Sequence, residues 1–281
     1  MNVTQQIIPD DLCSGCGACT GVCPADALVI DSLSSYKPVI DEAKCTNCGL
    51  CYEVCPGKGY LVCQLAQVSC DDKTKMHPTY GPVRYFWLGH STDSQLRLES
   101  ASGGIGTALL VHLLETKQVD AVAVVAMENS YPQAKLTDDP EVVMSAKASK
   151  YSPVPMMQLI KELKKNPQKI AMPVTPCQLA AFLAATQKIK KIRECLVLAI
   201  GLFCGQVKDY ESVSQIAATL NIKHPGEAKF LGWRCGRYPG SARFELHNGT
   251  QKEKPLYPWL DIAVPHYALH RCFLCPDGGN W

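Results

Sequence analysis

Eight of the sixteen cysteines lie in the first 55 residues, as two copies of one spacing. CSGCGACTGVCP supplies Cys13, Cys16, Cys19 and Cys23, and CTNCGLCYEVCP supplies Cys45, Cys48, Cys51 and Cys55. The run Cys-x2-Cys-x2-Cys-x3-Cys-Pro holds 4Fe-4S clusters, and where it is doubled the fourth cysteine of each copy ligates the other cluster. Three closely spaced thiolates wrap one face of a cubane, while the step to Cys-Pro sends the last sulfur to the neighbour. The spacing therefore assigns Cys13, Cys16, Cys19 and Cys55 to one cluster and Cys45, Cys48, Cys51 and Cys23 to the other. Glycines between the ligands let backbone amides approach the sulfides. A framework of disulfides is the alternative use of so many cysteines. The repeated spacing, each copy closed by Pro24 or Pro56, argues for clusters instead.

Such a pair of runs makes a bacterial-type two-cluster ferredoxin module, and the rest of the composition bounds what it serves. The N-terminus, MNVTQQIIPDDL, lacks the basic and apolar regions of a secretory signal. Reduced thiols and oxygen-sensitive clusters point to the cytoplasm of an anaerobic or microaerobic cell. The net charge is +2, and the short basic group Lys188, Lys190, Lys191 and Arg193 reads as a solvated helix end, so nucleic acid is not an expected partner. No stretch reaches the roughly 18 to 20 apolar residues that span a bilayer. The longest, CLVLAIGLFCG at 195–205, has the length of a strand. Membrane attachment would need a partner subunit.

Positioning falls to three regions: a ferredoxin module over residues 1–60, a linker over 61–82 that carries Cys63 and Cys70 without cluster spacing, and a second domain over 83–281. The second domain divides into 83–153 and 154–281 and alternates helices with apolar strands. Helices are predicted at Ser102–Thr116, Pro155–Lys165, Pro176–Thr186 and Asp209–Leu220. Strands are predicted at Val119–Met127, Lys169–Val174 and Leu196–Phe203. The predicted fold class is α+β and α/β, with the ferredoxin module followed by a mixed, largely parallel sheet with flanking helices. In open sheets of this kind ligands bind beyond the carboxyl ends of the strands, where Cys177 and Cys204 fall.

The strings SGGIGTALLVHLLE, VDAVAVV, SKYSP, TPCQLAA and IGLFCG, in that order, resemble the beta-subunit family of coenzyme F420-reducing hydrogenase and F420-linked dehydrogenases. The likeness runs from about Gly81 to the end and, with the ferredoxin module, covers nearly the whole chain. It implies FAD, a site for coenzyme F420 and iron-sulfur clusters. Physical reasoning supports that division of labour: a deazaflavin delivers hydride, each cluster passes one electron, and a flavin converts between them. A full G-x-G-x-x-G fingerprint is absent, so no Rossmann fold is expected.

Ser102, Gly103 and Gly104 open a predicted helix whose free amides suit a pyrophosphate, although glycines packed at an ordinary helix start would look the same. Lys150 and Tyr151 of SKYS suit a phosphate contact or stacking on the flavin, or else solvent and packing. Thr175, Cys177 and Gln178 belong to an element resembling the family's TPCQ. At a helix N-terminus the pKa of the Cys177 thiol is expected to fall. Cys272 and Cys275 resemble the family's C-terminal Cys-x2-Cys. With Cys177 and one of Cys204 or Cys235 they form a candidate third 4Fe-4S site, although a lone Cys-x2-Cys also suits zinc or free thiols. Cys195 reads as a buried small hydrophobe. His112, His266 and His270 have no assigned role, and no catalytic acid or base is required, because hydride passes directly between stacked rings. Family members usually continue past the Cys-x2-Cys, whereas this chain stops at Trp281, so a fragment or a shortened relative is expected.

The expected function is an oxidoreductase subunit that moves electrons between coenzyme F420, through FAD, and clusters leading to a partner. The partner classes are a hydrogenase, formate dehydrogenase, heterodisulfide-reductase-like or membrane dehydrogenase subunit, with ferredoxin as a further one. Two alternatives stand beside it. One is a reductase of the same fold drawing on ferredoxin electrons for another substrate, like hydroxymethyl-chlorophyll reductase. The other is an electron-transfer subunit without a substrate site.

Overall fold

The computed structural model describes residues 2–30, 35–60, 73–78, 80–237, 239–257 and 266–277. Cys63, Cys70, most of the expected linker and Trp281 lie outside them.

The two cysteine runs fold alike. In each, a glycine with positive φ, Gly17 at 79° and Gly49 at 76°, turns the chain into a short helix, α2 (Ala18–Val22) or α3 (Leu50–Glu53). Helix α1 (Val3–Gln6) begins at Asn2, whose side chain accepts from the Thr4 amide at 3.0 Å. Strands β1 (Leu28–Val29) and β2 (Val39–Ile40) pair antiparallel between the two runs. After the module comes a small hairpin of β3 (Lys75–His77) and β4 (Gly81–Val83).

The second part is built on a mixed four-stranded sheet of order β6-β5-β7-β8. Its strands are β5 (Ala121–Glu128), β6 (Tyr131–Thr137), β7 (Ile170–Val174) and β8 (Leu196–Gly201). β5 pairs parallel with β7, and β7 with β8, as the alternation predicts. β5 is apolar and buried from Ala121 to Val124, as a strand covered on both faces must be. The chain flanks this sheet with α4 (Ser94–Glu99), α5 (Ile105–Glu115), α6 (Pro140–Ser145), α7 (Ile160–Lys165) and α8 (Pro176–Lys188). Helix α9 (Tyr210–Thr219) then packs Val213 and Ile216 against Trp233 and Phe244 of a three-stranded antiparallel sheet. Its strands are β9 (Ala228–Cys235), β10 (Ser241–Leu246) and β11 (Gln251–Pro255). The short helix α10 (His270–Phe273) carries the last cysteines.

Two expectations need correction, and β6 is a strand that none of them included. It joins β5 through a tight turn at Asn129 and Ser130, with φ 48° and 67°, and pairs antiparallel, which makes the sheet mixed as expected. The helix expected from Ser102 starts at Ile105, because Gly103 and Gly104 take positive φ, 71° and 78°, which no helix accommodates. The segment 155–165 is a 3-10 turn (Met156–Leu159) running into α7.

The ferredoxin module and the sheet share one core. Cys16, Ala18, Val22 and Val54 pack in a single cluster with Met156, Ile160, Ile170 and Phe182. The Met157 amide donates to the Cys16 carbonyl at 2.8 Å. A Cβ on Gly21 would lie 2.2 Å from the Met157 carbonyl oxygen, so only glycine allows this approach.

Candidate functional site

Two cavities open inside the cysteine module. One is lined by Cys13, Cys16, Cys19 and Cys55, the other by Cys23, Cys45, Cys48 and Cys51. Amides of Gly15 and Gly57 donate to the Cys13 and Cys55 sulfurs, both at 3.4 Å, and the Ala27 amide to Cys23 at 3.3 Å. Burial pushes the Cys13 thiol up to about 11, with neighbouring Cys55 adding to it. Cys16 and Cys19 are likewise raised well above the ordinary thiol value, chiefly by burial. Thiolates gathered there need compensating cations, and metal binding releases their protons. Among the described residues no three His, Cys, Asp or Glu side chains converge as ligands of a single ion would. A cubane instead presents a separate iron to each thiolate, so it suits donors spread around a cavity. Cys48 is exposed, which places the second cavity nearer solvent.

A third group of thiols gathers where the strands end. Cys177 lies in the first turn of α8, Cys204 follows β8, and Cys272 and Cys275 come from α10 and just beyond it. Burial pushes the Cys204 thiol up to about 12, and the nearby Cys177, Cys272 and Cys275 raise it further. The C-terminal segment is held there by backbone bonds from Leu269 to Val207, 3.0 Å, and by Arg271 Nη2 donating to the Pro56 carbonyl at 3.1 Å. The Val207 amide donates to the Cys272 sulfur at 3.4 Å. Cys235 is absent from this group: its charged neighbours are Arg243, Glu253 and Glu99. Against the expected fall, burial pushes the Cys177 thiol up, and the hydrogen bonds with Thr175 and Ser14 offset only part of this. Cys195 is buried in the core, with its sulfur donating to the Lys191 carbonyl, and His112, His266 and His270 are exposed.

Beside this group, at the carboxyl end of β7 and the middle of β5, lies a cavity of about 240 Å³. Its walls include Val124, Val125 and Pro173 from the sheet, and Ser14 and Cys177 from the cysteine sites. The N-termini of α5 and α8 both open onto it, which favours an anion. Of the residues singled out in sequence, Ser102, Gly104, Lys150, Thr175 and Gln178 line this cavity, and Gly103 and Tyr151 do not. Gln178 is committed to the fold: its Oε1 accepts from the Thr175 amide and its Nε2 donates to the Val154 carbonyl, both at 3.0 Å. Burial pushes the Lys150 ammonium down to about 7, Lys147 adding to the effect. Its Nζ nevertheless donates to the carbonyls of Ala146, Lys147 and Ala148, a set that holds the protonated form. Tyr151 faces the other core, edge-on to Trp233, with Lys208 over its ring at 5.3 Å.

Sequence inspection missed Ser14 and Lys208. Ser14 lines both the first cysteine cavity and the sheet-edge cavity, and Lys208 is buried between Tyr151 and the Cys204 and Cys272 thiols. Neither sits in a pattern that spacing alone distinguishes from packing.

Known proteins resemble this chain along most of its length. Residues 86–161 match the family model described as coenzyme F420 hydrogenase/dehydrogenase, beta subunit N-term. Residues 167–280 match the corresponding C terminus, and residues 12–58 match a 4Fe-4S dicluster domain. A subunit of the F(420)H(2) dehydrogenase of Methanosarcina mazei is 28% identical over 97% of this chain and 73% of its own length. Coenzyme F420-dependent sulfite reductase of Methanocaldococcus jannaschii is 26% identical over 80% of this chain, which spans 36% of that longer protein. In structure, a chain of the F420-reducing [NiFe] hydrogenase complex from Methanosarcina barkeri superposes with a TM-score of 0.52 at 22% identity. That match covers 68% of this chain and 66% of the other.

Proposed function

The chain belongs to the coenzyme F420 hydrogenase/dehydrogenase beta-subunit family, and from that premise we propose that it exchanges electrons between reduced coenzyme F420 and iron-sulfur clusters by way of FAD. The observation that carries the proposal is the continuity of the sites. Cys51 and Cys19 bear on one another across the first two cysteine sets, Cys16 and Cys177 across the first and third, and Cys177 lines the sheet-edge cavity. An electron path therefore runs from the solvent-near set (Cys23, Cys45, Cys48, Cys51) through Cys13, Cys16, Cys19 and Cys55 to a third cluster on Cys177, Cys204, Cys272 and Cys275, and so to a flavin. Each donor set is sulfur-only and supplied with backbone amides or buried thiols, as cluster ligation requires.

A flavin bound at the sheet edge supplies the conversion between hydride and single electrons. What the chain itself does is position. The apolar wall of Val124, Val125 and Pro173 offers a face for a ring and excludes water. The helix N-termini of α5 and α8, with Lys147 and Lys150 in the same wall, stabilise negative charge. Ser102 and the Gly104 backbone lie where a phosphate can approach α5 closely. The residues leave the hydride donor free to stack on the ring, so no acid or base is needed.

The name of the Methanocaldococcus relative favours F420 over a nicotinamide as the two-electron partner. A partner redox subunit receives or supplies electrons at the exposed Cys48 end.

The test is an anaerobic titration of cluster-reconstituted, FAD-loaded protein with reduced coenzyme F420, following flavin absorbance and then cluster reduction. Bleaching at stoichiometric coenzyme is expected. A flavin that stays oxidised with reduced F420 but bleaches with NADH or reduced ferredoxin would overturn the coenzyme assignment.

A further inference from the structure

The turn at residues 100–104 is a wall between two cavities. Ser102 and Gly104 line the sheet-edge cavity, Gly103 lines a second one of about 660 Å³, and Ser100 and Ala101 line both. At 240 Å³ the sheet-edge cavity falls below the roughly 300 to 1,000 Å³ usual for sites that enclose a whole ligand. A coenzyme whose ring enters it must extend elsewhere, and the adjoining cavity shares Ser100 and Ala101 with it.

The second cavity has a distinct chemistry. Arg97 of α4 lines one side, Arg234 and Arg237 line the other, and among the described residues no Asp or Glu lines it. Among the described residues Arg97 and Arg237 have no carboxylate partner. The nearby acid Glu99 is taken by Lys147 at 3.1 Å. Arg97 and Arg237 set positive charge across this space beside Arg234, and guanidinium suits phosphate and carboxylate alike. Two further observations point to a ligand. Ser100 Oγ, where the two cavities meet, is buried without a hydrogen-bond partner, a state that costs stability unless something completes it. Arg234 holds a left-handed backbone, φ 56°, and its Nη1 donates to the Tyr151 hydroxyl at 3.3 Å. Such a conformation persists at a bulky residue only when its surroundings impose it, and binding sites are where it gathers.

We infer that the Arg97, Arg234 and Arg237 cavity is an anion site for the phosphate or carboxylate groups of a flavin-type coenzyme whose ring occupies the sheet-edge cavity. The inference rests on the function proposed above. Two molecules carry this chemistry there: FAD, through its pyrophosphate, and the deazaflavin substrate, through its acidic tail.

The test uses full-length, cluster-loaded protein under anaerobic conditions, comparing wild type with Arg97→Ala/Arg237→Ala and with Arg97→Lys. Four probes are titrated: coenzyme F420, the same deazaflavin lacking its acidic tail, FAD, and inorganic pyrophosphate. If the substrate tail occupies the cavity, the double variant weakens coenzyme F420 binding at least about tenfold and leaves the tail-less ring and FAD unchanged. If FAD occupies it, the loss of at least about tenfold falls on FAD alone. In both cases pyrophosphate binding drops in the double variant and Arg97→Lys retains most of it, showing that charge rather than folding is at issue. Unchanged affinity for coenzyme F420, FAD and pyrophosphate overturns the site. Wild type that binds pyrophosphate but no deazaflavin or flavin upholds the anion site and removes the function proposed above. Wild type that binds deazaflavin but not pyrophosphate, with no effect of the arginines, does the reverse.

Discussion

Cys204 and Cys235 are alike in sequence, each a lone thiol at or just past the end of an apolar strand, and they part only in three dimensions. Cys204 shares a buried site with Cys177, Cys272 and Cys275, whereas Cys235 sits among Arg243, Glu253 and Glu99. Cys204→Ser should therefore lower the iron content of fully loaded protein by about four per chain, from about twelve to about eight, while Cys235→Ser leaves it unchanged. Iron analysis with sulfide determination reads both, and equal iron in the two variants would remove the third cluster. Lys208 offers a finer probe. Its ammonium is buried beside the Cys204 and Cys272 thiols and its pKa is lowered by that burial. A fixed cation there favours the more negative, reduced state of a cluster. Lys208→Met should then shift that cluster's potential downward by on the order of 30–60 mV in a redox titration followed by electron paramagnetic resonance. The grouping of the eight N-terminal cysteines around two cavities could be read from the sequence because their spacing is local. The partner of Cys272 and Cys275 could not, because choosing Cys204 over Cys235 depends on how β8 and β9 lie in separate sheets.

At the level of elements, the strands that read clearly were those with uninterrupted apolar runs. β5, β7 and β8 fall within or close to their predicted limits. β6, YPQAKLT, was missed because it carries a proline and a lysine and depends on β5 for its register, from Val122 opposite Thr137 to Glu128 opposite Tyr131. The three-stranded sheet was missed for a related reason: β11, QKEKP, alternates without apolar residues and is a strand only because β10 is beside it. Glycines in the first cysteine run read as room for amides near sulfide, yet Gly21 serves the packing of α2 on the 3-10 turn at Met156–Leu159. Gly21→Ala should destabilise the protein by about 1–3 kcal/mol, since the added methyl meets a backbone carbonyl that cannot swing aside. Gly226→Ala, where an added Cβ meets nothing within 4 Å, is the control. Thermal unfolding of both variants checks the difference, and equal midpoints would mean that α2 is not seated so closely.

For the whole molecule, the composition shift after residue 58 suggests two domains in series, but the packing joins them. The core that contains Cys16, Ala18, Val22 and Val54 is the same core that buries Ile170, Met172 and Phe182 beneath the sheet. Arg271 ties the C-terminal segment back to Pro56, and Lys164 Nζ donates to the Cys23 carbonyl at 3.3 Å. Such sharing has a functional reason. Electron transfer along the cysteine sets needs fixed spacing between them, which a flexible linker between independent domains would not provide. It also has a thermodynamic consequence. Cluster ligation is folding free energy for the module, and through the common core it becomes stability for the sheet as well. Removal of the clusters by an iron chelator should then lower the unfolding temperature of the entire chain, and the loaded protein should melt in one transition followed equally by cluster absorbance and by fluorescence of Trp233, buried at 1% exposure, in a variant whose other three tryptophans are replaced by phenylalanine. Deletion of residues 1–60 should leave a sheet domain that exposes Ile160, Ile170 and Phe182 and fails to melt cooperatively. A truncated protein that kept the parent's unfolding temperature, or a loaded protein whose Trp233 signal melted apart from its clusters, would show two autonomous domains instead.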